Sequence, residues 1–393
     1  MSVVVDCTMD IAMKNIVILA TGGTIAGAGE QGKDIGYKSG ALEAQTLIDA
    51  VPGLKTVANI RVEQVCNINS DDISSEIWMT LARRIKELSK CADVDGFVVM
   101  HGTDTMEETA FFLDLTLGTQ EQTAAKPVVL TGSMRPATAA EPDGPANLLF
   151  AVQSAVRLSS SLATCHAREG GHLPFVDSTE SSAVYVAFAG KLMDARTVQK
   201  VHANELDAFA EVHDSSVILS QSEGSCDCHP ERSSSDLSSR LNCHPGLVLS
   251  GHLQFIAYVS TMLGTGTGSP LAFDISSLHT LPRVTVLYFN ADADAELVRF
   301  AAERSAGLVI AGAGAGEFSQ SWAAAIAEVV AKEIPVVIST RINRGCIVPG
   351  QLLVPGTIAA YNLPPAKAAV LLRLTLTVTN DIQEIQKIFA SKK

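Results

Sequence analysis

Short runs of aliphatic and β-branched residues recur along the chain and alternate with segments whose apolar residues repeat every three or four positions. Near-continuous Val, Ile and Leu runs are typical of strands buried on both faces, as in a parallel sheet. Apolar spacing along one helix face predicts helices over Glu76–Ser89 and Ser321–Lys332. Strands alternating with helices predict an α/β fold with crossover connections. The predicted strands are Asn15–Ala20, Asp95–Met100, Pro127–Thr131, Ala183–Phe188, Val284–Phe289, Gly307–Ala311 and Pro335–Ser339.

The alternation is interrupted between about residues 215 and 270, by Ser220–Gly246, which is rich in Ser, Cys and His, and by the Gly/Thr/Ser stretch Leu263–Pro270. We therefore predict two α/β domains. The larger, N-terminal domain covers 14–258, has a mainly parallel sheet and carries an irregular insertion at about 220–246. A linker over 259–271 leads to a smaller C-terminal domain with a parallel sheet over 272–393. A second irregular stretch is expected at Ser159–Ser182.

Composition narrows the class of protein. The 393 residues are 47% hydrophobic and 18% charged, which predicts a globular chain too long for one ordinary core. A net charge of −13 argues against a nucleic-acid partner or an anionic membrane, because both repel an acidic surface. The chain has no apolar run long enough to span a membrane. We expect no secretory signal, because Met1–Asn15 lacks a basic segment followed by an apolar one. We expect a cytoplasmic protein whose eight cysteines are free thiols.

Polar residues follow several of the predicted strands at their carboxyl ends, where open α/β sheets bind ligands. Thr21–Gly27 is either an ordinary glycine-rich turn or a turn that aims the Thr24 hydroxyl at a ligand. His101–Glu108 presents a hydroxyl and a carboxylate, or supplies a helix N-cap. Asn69–Asp72 has the same two interpretations, and Lys200 alone resembles a solvated charge. Together, these segments would place two Thr-bearing turns and a potential base in one crevice.

Four of the chain's segments resemble those of the bacterial-type L-asparaginases, and the similarity runs from about Lys14 to the C-terminus, with gaps at the two irregular stretches. The resemblance implies an amidohydrolase of asparagine catabolism that converts L-asparagine to L-aspartate and ammonia through a threonyl acyl-enzyme, without a cofactor. The matching segments are Ile18–Gly27 (ILATGGTIAG), His101–Thr109 (HGTDTMEET), Gly132–Pro136 (GSMRP) and Asp143–Leu148 (DGPANL).

The resemblance also assigns roles to individual residues. Thr24 corresponds to the nucleophile, and Tyr37 to a tyrosine on a flexible loop that closes over the site. Thr103 and Lys200 correspond to the pair that activates the hydrolytic water, Lys200 lying in a D-x-R-x-x-x-K string that starts at Asp194. Which threonine attacks first is left open. The implied catalytic residues are Thr24, Tyr37, Thr103, Asp104 and Lys200, and the implied substrate-binding residues are Gly23, Ser70, Asp71, Thr103 and Asp104, with no metal ligand.

The resemblance further implies a homotetramer, a dimer of dimers in which each site is completed at an intimate dimer interface. In secreted members the neighbouring subunit donates a glutamate, but this chain has no acidic residue between Glu333 and Asp381. Without this carboxylate, the substrate ammonium group has one contact fewer. A glutamine amide, which its extra methylene displaces, is then held poorly against Thr24. We therefore expect a strong preference for asparagine and minor glutaminase activity. Asp71 stands at a position that is Gln in some family members and acidic in others, and Asp292 falls near a family Asn that supports the site across the intersubunit contact.

Two further features suggest other functions. Gly312–Gly316 follows a strand and motivates an NAD-dependent oxidoreductase as an alternative, but Glu317 stands where the third fingerprint glycine is required, which favours a structural turn. Cys226–His229 and Cys243-His244 contain metal-ligating residue types, but their spacing is atypical for structural zinc and favours an inserted loop. A non-catalytic amino-acid-binding protein is disfavoured because the threonines, Asp104 and Lys200 are all present.

Overall fold

The computed structural model describes residues 13–30, 43–117, 126–166, 183–212 and 272–392, which belong to one compact unit. This part of the chain contains two mainly parallel sheets, each packed between helices. The prediction of an α/β fold with one mainly parallel sheet in each half of the chain is therefore confirmed. No helix in the described ranges combines the length and apolarity that crossing a bilayer requires.

The first sheet has the strand order β2-β1-β3-β4-β5-β6. Neighbouring strands are parallel except β5 and β6, which form an antiparallel hairpin. Its turn is Ala189-Gly190, and both residues have positive φ, 49° and 76°, as a tight hairpin turn requires. The strands are β1 (Asn15–Gly22), β2 (Asn59–Ile68), β3 (Gly96–Met100), β4 (Val128–Thr131), β5 (Val184–Phe188) and β6 (Lys191–Asp194).

Helices cover both faces of this sheet, which explains the unbroken apolar sequence of β1. Ile16 and Ile18 pack in the core formed with α1, α2 and α5. Val17 and Leu19 point to the opposite face and pack in the core formed with α3 and α4. The helices are α1 (Ala44–Asp49), α2 (Leu54–Val57), α3 (Ser75–Ser89), α4 (Met106–Leu117) and α5 (Gly144–His166).

The second sheet is entirely parallel, in the order β12-β11-β10-β9. Helices α6 and α7 cover one face, and α8 and α9 cover the other. Helix α8 packs against α4 of the first half, so the two sheets share one core between them. The elements are β9 (Val284–Tyr288), β10 (Gly307–Gly312), β11 (Val336–Thr340), β12 (Ile358–Ala359), α6 (Glu296–Ala302), α7 (Gln320–Val330), α8 (Pro365–Thr375) and α9 (Ile382–Ser391).

A two-stranded antiparallel ribbon lies outside both sheets. It pairs β7 (Val198–Lys200) with β8 (Phe209–Glu211). Strand β7 follows β6 after a short turn, so the turn and the ribbon bring Lys200 back toward the first sheet. These strands are too short for hydrophobic alternation to predict them.

The expected irregular stretch at Ser159–Ser182 is wrong at its beginning, because α5 continues to His166. Serines can remain in a helix when their hydroxyls bond back to an earlier carbonyl. Ser159 and Ser160 both donate in this way to the carbonyl of Val156, at 2.9 Å each. The rest of the stretch, the insertion at 220–246 and the linker at 259–271 lie outside the described residues, so the domain limits stay a prediction.

The Gly312–Gly316 segment forms a turn, as expected. The Ala313 N–H donates to the Glu317 carbonyl at 2.8 Å, and the Glu317 N–H donates back at 2.7 Å. A Cβ on Gly312 would lie only 2.4 Å from the backbone of Gly316. The glycines thus allow this chain segment to fold tightly on itself.

Candidate active site

Three loops meet at the carboxyl edge of the first sheet. Strand β1 lies between β2 and β3, and all three are parallel, so their carboxyl ends lie side by side. Gly22 and Gly23 leave β1 with φ of 106° and 82°, a conformation that favours glycine. The Gly23 N–H then donates to the carbonyl of Ile68 at the end of β2, at 2.8 Å.

The loops are in direct backbone contact. A Cβ on Gly23 would lie 2.5 Å from the Cα of Gly102, and a Cβ on Gly102 would lie 2.6 Å from Ser70 Oγ. Neither glycine can carry a side chain without displacing its neighbour. Thr24 follows directly, as the half-buried first residue of a short 3₁₀ helix, Thr24–Ala26.

Ser70 is buried and connects two of these loops. Its Oγ accepts the Asp104 N–H at 3.2 Å, and its carbonyl accepts the Thr105 hydroxyl at 2.6 Å. Asp71 is exposed and lies with Ser70 on a second short 3₁₀ helix, Ser70–Asp72. The capping interpretation of Asn69–Asp72 is wrong, because the N-cap of α3 is Ser74, whose Oγ accepts the Ile77 N–H at 3.4 Å.

Lys200 is directed into this group of loops. Its Nζ donates to Thr103 Oγ1 at 2.9 Å and to Asp104 Oδ1 at 2.7 Å. The side chain of Lys200 is 16% exposed, whereas that of Asp104 is 67% exposed. The interpretation of Lys200 as a solvated loop charge is therefore wrong. A hydroxyl held against a lysine amine is a possible proton-transfer pair, and the neighbouring carboxylate remains open to a ligand.

His101 precedes the Thr103 loop but is completely buried. Its Nδ1 lies 2.7 Å from the Gly102 carbonyl, so Nδ1 carries the proton, and Nε2 accepts from the Thr109 hydroxyl at 3.0 Å. Burial lowers the pKa of His101 to about 4, which keeps the ring neutral at pH 7. His101 therefore holds the Gly102 carbonyl in place.

Comparison with known proteins identifies the family. The model for the asparaginase N-terminal domain matches residues 15–166, and the model for the glutaminase/asparaginase C-terminal domain matches residues 283–389. L-asparaginase 2 of Escherichia coli strain K12 is 35% identical over 384 residues, which are 96% of this chain and 93% of that protein. The chain belongs to the asparaginase family. The resemblance inferred from the sequence motifs is thereby confirmed.

The chain is also similar to two further members of the family. A protein named glutaminase-asparaginase from Pseudomonas fluorescens biotype A is 31% identical over 96% of this asparaginase and 90% of its own length. The crystal structure of a probable cytoplasmic L-asparaginase from Campylobacter jejuni is 32% identical, with a TM-score of 0.70, and covers 96% of this chain and 99% of that one. Because the relatives are named as asparaginases, the comparisons give no support to an NAD-dependent oxidoreductase or to a non-catalytic amino-acid-binding protein.

Beneath the loops of this asparaginase lies a cluster of buried and half-buried charges that the sequence interpretation missed. Lys367 on α8 is fully buried, and its Nζ donates to the carbonyls of Ala195, Arg196 and Val198 at 2.9, 3.0 and 2.6 Å. Burial lowers the pKa of Lys367 to about 8, although Glu107 and nearby aspartates oppose the shift. The sequence signal was a single lysine inside the apolar run of α8.

Two acids in the first turn of α4 belong to the same cluster. Burial raises the pKa of Glu107, whose carboxylate accepts the backbone N–H of Lys200. Burial and repulsion by Glu107 raise the pKa of Glu108 to about 7, and Arg373 and Lys367 oppose that shift. The sequence interpretation assigned both acids only to the helix dipole.

The remaining expectations are placed as follows. Gly23, Ser70, Thr103, Asp104 and Lys200 are brought together by the contacts above, and Thr24 and Asp71 directly follow two of them. Tyr37 and the Cys226–His244 cluster lie outside the described residues. Within those residues, no group of three or more His, Cys, Asp or Glu side chains is placed to hold a metal ion.

Proposed function

We propose that this asparaginase hydrolyses L-asparagine to L-aspartate and ammonia. The observation that carries the proposal is the contact of Lys200 Nζ with Thr103 Oγ1, at 2.9 Å, on the loop that touches the Thr24 loop through Gly102 and Gly23. A hydroxyl attacks an amide only when a group nearby can take its proton. Thr24 and Thr103 supply hydroxyls here, and the Lys200 amine supplies a group that can exchange a proton with them.

The reaction then has two halves. The Thr24 hydroxyl adds to the side-chain amide carbon, its proton passes to the departing nitrogen, the C–N bond breaks, and ammonia leaves an aspartyl ester. A water next attacks the ester carbon, loses a proton toward the Thr103 and Lys200 pair, and releases aspartate as the Thr24 oxygen regains a proton. Backbone N–H groups of the glycine-rich loops are suited to stabilise the oxyanion of each tetrahedral intermediate.

The substrate's α-groups fit the polar atoms that remain available. Ser70 Oγ already accepts the Asp104 N–H, so its own hydrogen is free to donate to an α-carboxylate. The exposed carboxylate of Asp104 can accept from the α-ammonium group, with Asp71 nearby. Tyr37 is proposed to close over the bound substrate.

We further propose that asparagine is preferred and that glutaminase activity is minor. The α-groups of both amides bind alike, so the extra methylene moves the glutamine amide away from Thr24. A displacement of about 1 Å can cost on the order of a hundredfold in rate. Specificity constants for both amides on one preparation test this, and a ratio within a few-fold of unity contradicts it.

The oligomer and the cellular location are part of the same proposal. A homotetramer in the cytoplasm agrees with the motif resemblance, and the structural relative named above is described as a probable cytoplasmic enzyme. Light scattering measures the mass in solution. A fully active species near the chain mass of 41.4 kDa would contradict sites shared between subunits.

Ammonia release from asparagine by the purified protein, with variants of Thr24, tests the central claim. Thr24→Ala is expected to abolish turnover without unfolding the protein, and Thr24→Ser to keep measurable activity because it keeps the hydroxyl. Thr80→Ala is the matched control, since Thr80 is exposed on α3 and bonds only locally, to the Glu76 carbonyl. An alanine variant with a tenth or more of the parent rate excludes Thr24 as the nucleophile.

A further inference from the structure

The three hydrogen bonds of Lys367 all end on one short segment of the chain. The acceptors are the carbonyls of Ala195, Arg196 and Val198, in and directly after the turn between β6 and β7. An ammonium group has three N–H donors, and here each finds one carbonyl. The side chain crosses from α8, in the C-terminal half, to a turn in the N-terminal half, and it is completely buried.

This turn leads directly to Lys200, two residues after the last of these carbonyls. Strand β7 has three residues and pairs with one three-residue strand, β8, so the ribbon by itself gives little rigidity. The Glu107 carboxylate of α4 accepts the Lys200 backbone N–H. Lys367 also attracts Glu107 electrostatically. The backbone that carries Lys200 is thus held by both α4 and α8, at the edge of β7 that does not pair with β8.

Such anchoring matters because the Lys200 side chain is long and its end must meet one hydroxyl. Its Nζ lies 2.9 Å from Thr103 Oγ1, and Thr103 is fixed on the loop after β3. Shifting the backbone of Lys200 moves the amine away from that oxygen, whereas Gly23, Ser70 and Asp104 stay on loops of the sheet. A displacement of about 1 Å at a reacting group can cost on the order of a hundredfold in rate.

We propose that Lys367 is a positioning residue for the reaction, which holds the turn between β6 and β7 so that Lys200 meets Thr103. The inference rests on the proposed function, because it acts through Lys200. It assigns the C-terminal half of the chain a part in aligning a catalytic group of the N-terminal half.

The test combines kinetics with hydrogen exchange on the full-length protein. Lys367→Met keeps the length and apolar stem of the side chain but removes the three donors. We expect kcat for asparagine to fall at least tenfold with KM within about twofold, since the substrate-binding loops are untouched. We also expect faster amide exchange in the peptide spanning 194–200, measured by mass spectrometry.

Leu372→Ala is the matched control. Leu372 is buried on the same helix but packs toward Gly307 of the second sheet, so its loss destabilises α8 without removing a bond to the turn. It is expected to lower the melting temperature and leave kcat and the exchange of 194–200 near the parent values. If Lys367→Met does not fold, Lys367→Gln, whose amide can donate two bonds, is judged by the same readouts.

The outcomes separate the two proposals. A folded Lys367 variant with parent-like kcat, or with lowered kcat but unchanged exchange of 194–200, overturns the positioning role. Failure of both Lys367 variants to fold also overturns it, in favour of a purely structural residue. If the parent protein does not hydrolyse asparagine, the proposed function fails. Faster exchange in the variant would then still show that Lys367 holds the turn.

Discussion

Replacing Glu108 by glutamine is expected to stabilise the protein above neutral pH and to change little in acid. The carboxyl lies in the first turn of α4, where burial and Glu107 raise its pKa from 4.5 to about 7. Between these values the folded protein binds a proton that the unfolded chain has lost. The free energy of unfolding therefore decreases as the pH rises from 4.5 through 7, and it stays lower above that. Glutamine is neutral at every pH and avoids this loss.

The size of the effect follows from the shift. One pKa unit corresponds to about 1.4 kcal/mol, so a shift from 4.5 to about 7 sets an upper limit of roughly 3 kcal/mol. Glu108 is half-buried, so solvent screening reduces this to roughly 1–2 kcal/mol. With an unfolding entropy of about 2 cal/mol/K per residue, a 393-residue chain gains roughly 1–3 °C in melting temperature.

Calorimetric melting of the parent and Glu108→Gln between pH 5 and pH 9 measures the difference. The gap in melting temperature should be small near pH 5, grow through pH 7 and level off above it. Glu303→Gln is the control, because Glu303 is exposed and its replacement should leave the melting temperature close to that of the parent. A Glu108→Gln gap that is equally large at pH 5 and pH 9, or a less stable variant at pH 9, refutes the reasoning.

Two further substitutions test the geometry of the site. Lys200→Met should lower kcat by roughly 10²–10⁴-fold, while aspartate still binds in calorimetric titration. Lys191→Met, which removes an exposed ion pair on β6, is the control and should leave kcat unchanged. Parent-like rates for Lys200→Met would exclude Lys200 from the mechanism. Gly102→Ala places a Cβ 2.6 Å from Ser70 Oγ, so it should cost about 1–3 kcal/mol in denaturant unfolding and raise KM at least tenfold. Gly350→Ala, with nothing within 4 Å, is its control, and a parent-like KM for Gly102→Ala would show that the loops can separate.

Much of the fold was predictable from hydrophobic pattern. Seven strands of the two sheets were predicted within one or two residues of their observed bounds, since runs such as Ile16–Leu19 must be buried on both faces. Strands β2, β6 and β12 were not among the predicted strands. The end of α5 was missed because Ser159 and Ser160 resemble loop residues by composition, and their hydroxyl bonds to Val156 are visible only in the folded helix.

The residues of the candidate site also differ in how far the sequence predicted them. The sequence by itself determined that hydroxyl-bearing turns follow β1 and β3, because strand ends and glycines are local features, and their motifs pointed to the family. Lys200 carried no such local mark, since a lysine on a loop is ordinarily solvated.

Only the tertiary structure decided which charges are buried. Lys367 lies far from Glu107 and Glu108 in sequence, yet the packing of α4 against α8 buries Lys367 completely and the two glutamates in part. Local pattern reports which face of an element is apolar. The pKa of a charged group, and the side chain that it meets, depend on desolvation and on partners contributed by distant segments, and these exist only once the two sheets have packed.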